Sequence, residues 1–593
     1  MRSIFEPYRA RAGEQLRLAV RAGGDEQALS IDQWQRAAEV AAGALRELGI
    51  DRGARVGCVL SNSASVCAAI FGVWYAGARL HSLPTISRGM SPERYGRLLR
   101  ELCARAEIEL LLVEGSFVEA LAALLGEDAP VRVAAYEALA EGRAIAPEPP
   151  DPDEIVFVQY SSGSTRDPRG CMLSARAIAA HMQLLGEELA IDPTRDRGVF
   201  WLPLSHDMGL FGCLMCAWLF GIPLLMGSPL RFLRSPGTWL RDVAEFEATM
   251  TVGPSFALAL ACRAAAAGGG AAGALALRRI ILGGERVSWQ VLLEARKLLG
   301  AAGVPFAAFS PAYGLAEATL AVTMSGADQE PHAIAPPAGQ GAPIVSCGRA
   351  LRGVSVEVAG SDELEQLAGD GVGELYVRTP GLAAGYLGEA ELSAQRFADG
   401  RLRTGDIGLV RGGETYVLGR TDDMIPVGGR NIYATDFEQE VGPEIGVKAG
   451  SVVLLGIEAE QGARLVILAE PADAGGRHDD TAANLRERAR RILGVQVDQC
   501  LIVAQRSIPK TPSGKIQRFR ARELLAAGEL SVLGAVGAAQ LRRFRAQSRT
   551  PAAGAEAPRR DQDTGAEYVQ AGGAAAGERA SSDGKGDRST DGA

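Results

Sequence analysis

The chain has 593 residues, 47% of them hydrophobic and 22% charged, which is a globular composition and too long for one ordinary domain. A net charge of −9 excludes a broad nucleic-acid-binding face. Nine scattered cysteines fit a reducing compartment, and five histidines without an HExxH argue against a zinc enzyme. The N-terminus, MRSIFEPYRARAGEQ, lacks the apolar core and small-residue cleavage site of a secretory signal, so a cytoplasmic location is expected.

From the N-terminus the pattern alternates. Ile31 to Leu48 has helical periodicity and stops at Gly49; Arg55 to Leu60 reads as a strand; Val66 to Ala76 is a helix stopping at Gly77; Leu110 to Val113 is a second strand. Such alternation with short connections predicts an α/β layer fold with a parallel sheet. An apolar run, Ile155 to Val158, leads into QYSSGSTRDPRG, Gln159 to Gly170. Its small residues allow a backbone and its hydroxyls to close on phosphate oxygens, although the spacing is not that of the common P-loop. The uncharged stretch Leu210 to Gly227 is about long enough to span a membrane, but Pro223 and glycines interrupt it and Asp207 and Arg231 flank it. A buried helix followed by a short buried strand is predicted there, not a transmembrane segment. Cys213 and Cys216 form a CxxC inside that run with no second pair to complete a metal site.

Further along, Ala264 to Ala274 is a low-complexity connection, Arg279 to Leu282 a strand ending at Gly283-Gly284-Glu285, and Phe306 to Phe309 another strand. Short strands with glycine turns, at Val354 to Val358, Glu374 to Val377 and Thr415 to Leu418, predict a small β-rich subdomain. Beyond a boundary near Arg420 to Met424, strands at Val452 to Ile457, Arg464 to Ala469 and Cys500 to Val503 alternate with a helix at Ala482 to Leu493, the size of a compact α+β domain. The expected division is 1–420, 421–535 and a low-complexity tail, 536–593, too poor in large apolar residues to bury a core.

Five more segments carry chemistry. WLPLSHDMG (Trp201 to Gly209) holds a His-Asp pair, AYGLAEATL (Ala312 to Leu320) sets Tyr313 and Glu317 four apart on an expected helix, and RTGDIG (Arg403 to Gly408) offers Asp406 at a strand end. GRTDDMIPVGGRNIYATDFE (Gly419 to Glu438) and PKTPSGKIQR (Pro509 to Arg518) complete the set. Taken singly, Lys515 reads as a solvated loop lysine, Asp406 as a turn former, Glu317 as one end of a helical pair and His206 as a structural histidine. In this order, over about residues 20 to 530, the six segments resemble the adenylate-forming enzymes: acyl-CoA synthetases, peptide-synthetase adenylation domains and luciferases, and most of all fatty acyl-AMP ligases.

The resemblance implies a large adenylation domain of α/β layers, a small mobile C-terminal domain, and the substrates ATP, with Mg²⁺, and a fatty acid. Ser161, Ser162, Gly163, Ser164 and Thr165 with Arg169 would embrace the phosphates, Arg169 standing where the family usually has lysine. Glu317 and Thr165 would hold Mg²⁺, a hard cation that takes oxygen ligands. Gly283, Gly284, Glu285, Tyr313 and Gly314 would flank the adenine, and Asp406, with Arg420 nearby, would take the ribose hydroxyls. Lys515 would reach from the small domain to the reacting oxygens, and Asp422 would be the hinge. The catalytic set is thus Lys515, His206 and Glu317, and the acyl pocket lies among Met208, Gly209, Leu210, Phe211 and Ser255.

The acceptor divides the expectations. The Pro- and Gly-rich segment Met324 to Val345 sits where fatty acyl-AMP ligases carry an insertion that disfavours coenzyme A, yet it is shorter than a typical one. Gly428-Gly429 resembles the synthetases instead. A separate acyl carrier protein is the first expectation for the acceptor and coenzyme A the second.

Overall fold

The computed structural model describes residues 5–6, 17–21, 26–86, 90–126, 128–129, 131–160, 168–268, 273–336, 342–359, 371–427, 430–438, 441, 445–459, 462–473, 475–511 and 514–537. The tail expected over 536–593 lies outside them from residue 538 on, whereas residues 536 and 537 finish a strand, Val532–Gly537.

Two sheets build the larger part of the molecule. In the first, strands Arg55–Cys58, Arg79–Ser82, Leu110–Val113, Arg132–Ala135 and Ile155–Tyr160 run parallel, and Ile155–Tyr160 turns back antiparallel into Gly170–Ser174. In the second, a parallel set of Leu224–Gly227, Gly198–Phe200, Met250–Gly253, Arg279–Leu282 and Phe309–Gly314 continues into an antiparallel half that includes Gly373–Arg378, Leu402–Arg411 and Glu414–Arg420. The expected β-rich region is therefore the antiparallel extension of the second sheet. Parallel strands need both faces covered, which explains why their sequences are unbroken apolar runs.

Local chemistry sets the helices. Ile31–Glu47 starts at Ser30 with a capping box, the Ser30 side chain taking the Gln33 amide and the Gln33 side chain taking the Ser30 amide. It and Ala64–Tyr75 pack between the sheets around an aromatic cluster: Trp34 and Phe71 lie 4.6 and 4.3 Å from Trp218, and Phe157 lies 5.2 Å from Phe211, all ring centroid to centroid. The uncharged run resolves as predicted into a helical segment through Phe220 and a strand, Leu224–Gly227. No described helix is long and apolar enough to cross a membrane.

Three local expectations change. Ala264 to Ala267 belong to the helix Ser255–Ala267, alanine being the strongest helix former. Phe306–Ala308 is a 3₁₀ turn, and the strand runs Phe309–Gly314. Asp406 stands inside a ten-residue strand, Leu402–Arg411, not at its end. The smaller C-terminal domain is a four-stranded sheet, Val447–Ala459, Gly462–Pro471, Gln499–Val503 and Val532–Gly537, with His478–Leu493 packed on it through Ala482, Leu485, Ala489 and Leu493.

Candidate active site

The strand Ile155–Tyr160 delivers the chain to the expected phosphate loop, of which Ser161, Ser162, Gly163, Ser164 and Thr165 lie outside the described residues. Its flanks are described. Tyr160 pairs with Gly170, and the Gln159 side chain donates to the Ser205 carbonyl at 2.9 Å, joining this strand end to the segment that carries His206. The Arg169 guanidinium lies over the Tyr386 ring, 5.9 Å from its centroid, with Nε 3.6 Å from Glu389. The Tyr386 hydroxyl donates to Glu317 Oε1 at 2.7 Å. Arg169 and Glu317, 148 positions apart in the numbering of the chain, are thus joined through one tyrosine that sequence reasoning missed; nothing in GLAAGYLG marks it.

Glu317 is not on an α-helix. The strand Phe309–Gly314 ends and a single 3₁₀ turn, Ala316–Ala318, follows. A Cβ on Gly314 would stand 1.9 Å from the Leu320 carbonyl oxygen, so this close return of the chain requires glycine. Thr319 adopts φ +67° and donates its hydroxyl to the Gly381 carbonyl at 2.7 Å. His181 Nε2 accepts the Ala321 amide at 3.2 Å, fixing the turn from the other side. Burial pushes the His181 imidazole down to about 4, against a smaller upward pull from Asp207.

Tyr313, one residue before Gly314, donates its hydroxyl to Asp406 Oδ2 at 2.6 Å. Arg420 Nε donates to Asp406 Oδ1 at 3.1 Å, and Asp406 and Arg420 are register partners across adjacent strands. Asp406 is 5% exposed and its amide donates to Thr404 Oγ1 at 3.0 Å. Burial, then the Asp406 charge, pushes the Tyr313 phenol well above its ordinary range, and Asp406 holds Arg420 firmly protonated.

Lys515 comes from the smaller domain. The Lys510–Ile516 bridge closes a tight turn in which the Thr511 amide donates to the Lys515 carbonyl at 2.7 Å and the Lys515 amide to Thr511 Oγ1 at 3.0 Å. The side chain reaches Gly284: a Cβ there would stand 3.8 Å from Lys515 Nζ and 3.4 Å from Met208 Cε. Burial lowers the Lys515 ammonium, while Asp207, Glu285 and Asp406 pull its pKa upward and Arg420 adds to the lowering. Gly283, Gly284 and Glu285 follow the strand Arg279–Leu282 and so lie beside Pro311 and Ala312 of the next strand. The Glu285 carboxylate accepts the Phe256 amide at 2.8 Å, so it points to the helix Ser255–Ala267.

His206 and Asp207 precede the apolar helical run. Asp207 Oδ1 accepts the Met208 amide at 2.7 Å and lies 2.5 Å from His206 Nδ1. Burial opposes ionisation of Asp207, but His206, Lys515 and the Met208 amide prevail and hold its carboxyl below the usual range. Of the expected acyl-pocket residues, Met208 lies against Gly284, Gly209 backs onto Pro203, and Leu210 and Phe211 are sunk in the main core. Ser255 is buried and its hydroxyl accepts the Ser288 amide at 3.1 Å. Asp422 lies in the turn Thr421–Asp423 that leaves the strand Glu414–Arg420, its side chain outside the described residues together with Gly428 and Gly429.

Lys515, Asp207, Glu285, Asp406, Tyr313 and Arg420 therefore form one charged neighbourhood, to which Arg169, Tyr386 and Glu317 form a second, connected edge. One cation from the small domain amid carboxylates from the large one suits chemistry on an anionic substrate. Among the described residues no group of three or more His, Cys, Asp or Glu side chains could cage a metal alone, so a divalent ion here would need oxygens from its ligand.

A family profile described as AMP-binding enzyme matches residues 9–387. The medium-chain-fatty-acid–[acyl-carrier-protein] ligase JamA of Moorena producens is 29% identical over 523 residues, 81% of this chain and 87% of its own. The long-chain-fatty-acid–AMP ligase FadD32 of Mycolicibacterium smegmatis is 31% identical over 477 residues, 67% of this chain and 73% of its own. A solved structure from work on fatty acyl-adenylate ligases of E. coli and L. pneumophila superposes with a TM-score of 0.76 at 24% identity, covering 86% of this chain and 96% of that one, and has the same fold.

Proposed function

The chain belongs to the AMP-binding enzyme family, and from that premise we propose that it activates a medium- or long-chain fatty acid as its acyl-adenylate. The observation that carries this reading is the arrival of Lys515, from the small domain, against Gly284 and within the field of Asp207, Glu285 and Asp406. In the reaction the fatty carboxylate oxygen attacks the α-phosphorus of ATP, the bond to the β-phosphate breaks, and pyrophosphate leaves. Both reactants are anions, so the site must supply positive charge where oxygens crowd. Lys515 does this for the carboxylate and α-phosphate oxygens. Arg169, with Ser161, Ser162, Gly163, Ser164 and Thr165, does so for the leaving phosphates. Asp406 accepts the ribose hydroxyls on a carboxylate already braced by Tyr313 and Arg420, and Gly283, Gly284, Tyr313 and Gly314 border the adenine. His206 and Met208 stand where the acyl group would enter.

Glu317 offers a carboxylate oxygen oriented by Tyr386 and would hold Mg²⁺ with Thr165 and the phosphates, the ion supplying further charge neutralisation. The phosphopantetheine thiol of a separate acyl carrier protein then attacks the acyl carbonyl, the acyl–phosphate anhydride bond breaks, and AMP and the thiol proton leave as the thioester forms; an acyl carrier protein is the acceptor that JamA's name states for that relative. We place the domain boundary at 420/421, with Asp422 as the hinge between the half-reactions and 536–593 as a tail. Nine cysteines, all buried and unpaired, support a reducing, cytoplasmic setting.

Fatty-acid-dependent exchange of pyrophosphate into ATP tests the first half-reaction. Lys515→Ala is expected to lower it roughly a hundred- to a thousandfold, the effect of removing one preorganised charge donor; unchanged exchange would remove Lys515 from the mechanism. The shorter Met324 to Val345 segment and Gly428-Gly429 favour a second reading, acyl-CoA formation. Incubation with acid, ATP and coenzyme A separates the two: abundant acyl-CoA rejects the carrier-protein reading, and stalled acyl-adenylate supports it.

A further inference from the structure

The helix Ser255–Ala267 begins without a side-chain cap of its own, because its N-cap residue is Pro254. Glu285, from a turn 29 positions further along, takes over that task by accepting the Phe256 amide at 2.8 Å. The same first helical turn receives the small domain. A Cβ on Gly514 would stand 2.6 Å from Phe256 Cζ, and Gly514 adopts φ +91°, so the backbone before Lys515 packs against the far end of the Phe256 ring only because residue 514 is glycine. Lys515, the next residue, extends past this contact to Gly284, the neighbour of Glu285; burial raises the Glu285 pKa, and the Phe256 amide and Lys515 counter that rise. Two independent features, one steric and one electrostatic, thus converge on the same spot of the large domain.

We propose that Glu285 is a positioning residue for Lys515: with the Phe256 ring it forms the seat on which Gly514 and Lys515 of the small domain dock in the arrangement that performs adenylation. Its carboxylate is turned toward the helix start, so this role differs from a border of the adenine pocket. The seat holds the ammonium at the reacting oxygens before the nucleotide arrives and has no part in acyl transfer, where the small domain is turned away. The inference rests on the adenylation reading given above.

Glu285→Gln tests it in the full-length protein, because the amide oxygen still accepts the Phe256 amide while the charge is removed. The expected result is a roughly ten- to hundredfold fall in kcat for pyrophosphate exchange, the scale of removing one charge from a partly buried pair. The KM for ATP, the melting temperature, and single-turnover transfer from supplied acyl-adenylate are expected to stay near the wild-type values. Unchanged kcat, or a loss falling on the KM for ATP alone, would overturn the proposal. A readout free of turnover stands beside it: reductive methylation of Lys515, followed by peptide mass spectrometry, is expected to run severalfold faster in E285Q than in the wild type, and equal rates would overturn the seat. If the wild type itself shows no exchange, the adenylation reading fails while the labelling comparison still decides the docking contact.

Discussion

At the scale of single residues, the site is a set of carboxylates each assigned a partner before any substrate is present. Asp406 is the clearest case: Tyr313 and Arg420 occupy its two oxygens, and in the proposed reaction both would yield or share when ribose hydroxyls arrive. A buried carboxylate that loses one donor incurs the desolvation cost of the vacated oxygen. Tyr313→Phe is therefore expected to lower the unfolding free energy by about 1–3 kcal/mol and to weaken ATP binding, read by denaturant titration and by nucleotide titration of the same preparation. A variant as stable as the wild type would mean that the Tyr313 hydroxyl is not a structural donor to Asp406. Tyr386 has a comparable place between Arg169 and Glu317, and its link from the expected phosphate side to the expected metal side is a contact that only folding reveals.

At the scale of elements, the turn Ala316–Ala318 decides where Glu317 points, and it is held by Thr319 and by neutral His181. The sign of the pH effect follows from that neutrality. The His181 pKa is about 4 in the fold against an ordinary 6.5, so between those values the unfolded chain binds the extra proton. Stability is then complete above about 6.5 and is lost as pH falls toward 4, with a His181 share on the order of 3 kcal/mol. His181→Gln, which keeps an acceptor for the Ala321 amide, is expected to flatten that acid limb in urea titrations at several pH values; an unaltered limb would assign the effect elsewhere. Glu317 also marks the limit of reading elements from sequence. Tyr313 and Glu317 four apart suggest one helix face, but Tyr313 is on a strand and Glu317 on a 3₁₀ turn, because Gly314 lets the chain return close to Leu320 and Thr319, at φ +67°, turns it just beyond Glu317. Long periodic elements such as Ile31–Glu47 and unbroken apolar strands such as Leu110–Val113 were legible because burial on one face or two fixes their pattern. The position of Asp406 within a strand was not, since an Asp beside glycine carries the same local signal as a turn.

At the scale of the whole molecule, a small domain brings one lysine to a large domain that supplies the acidic surroundings, and the proposed chemistry depends on that arrival. Each domain has a core of its own, and described contacts between them include Gly514 on Phe256, Lys515 against Gly284, Thr421 Oγ1 donating to the Gly405 carbonyl at 3.0 Å, a shared apolar cluster in which Tyr433 and Met424 pack with Ile407, Leu409, Tyr416 and Leu418, and an exposed pair, Arg94 and Glu523, 3.7 Å apart. Exposed pairs of this kind contribute little, so the join rests on the apolar cluster around Tyr433 and on the Lys515 turn. Lys515, Asp207, Asp406, Tyr313 and Arg420 come together from five of the resembling segments, whereas Ser161 to Thr165 lie outside the described residues and nothing in the sequence marks the turn of Glu285 to a helix start. The most direct test of the account is mass spectrometry of the products formed by the purified full-length chain from Mg²⁺-ATP and a mixed pool of straight-chain fatty acids. The account predicts fatty acyl-adenylate and pyrophosphate, formed only when acid is present; cleavage of ATP to ADP and phosphate, or no acid-dependent pyrophosphate at all, would contradict it.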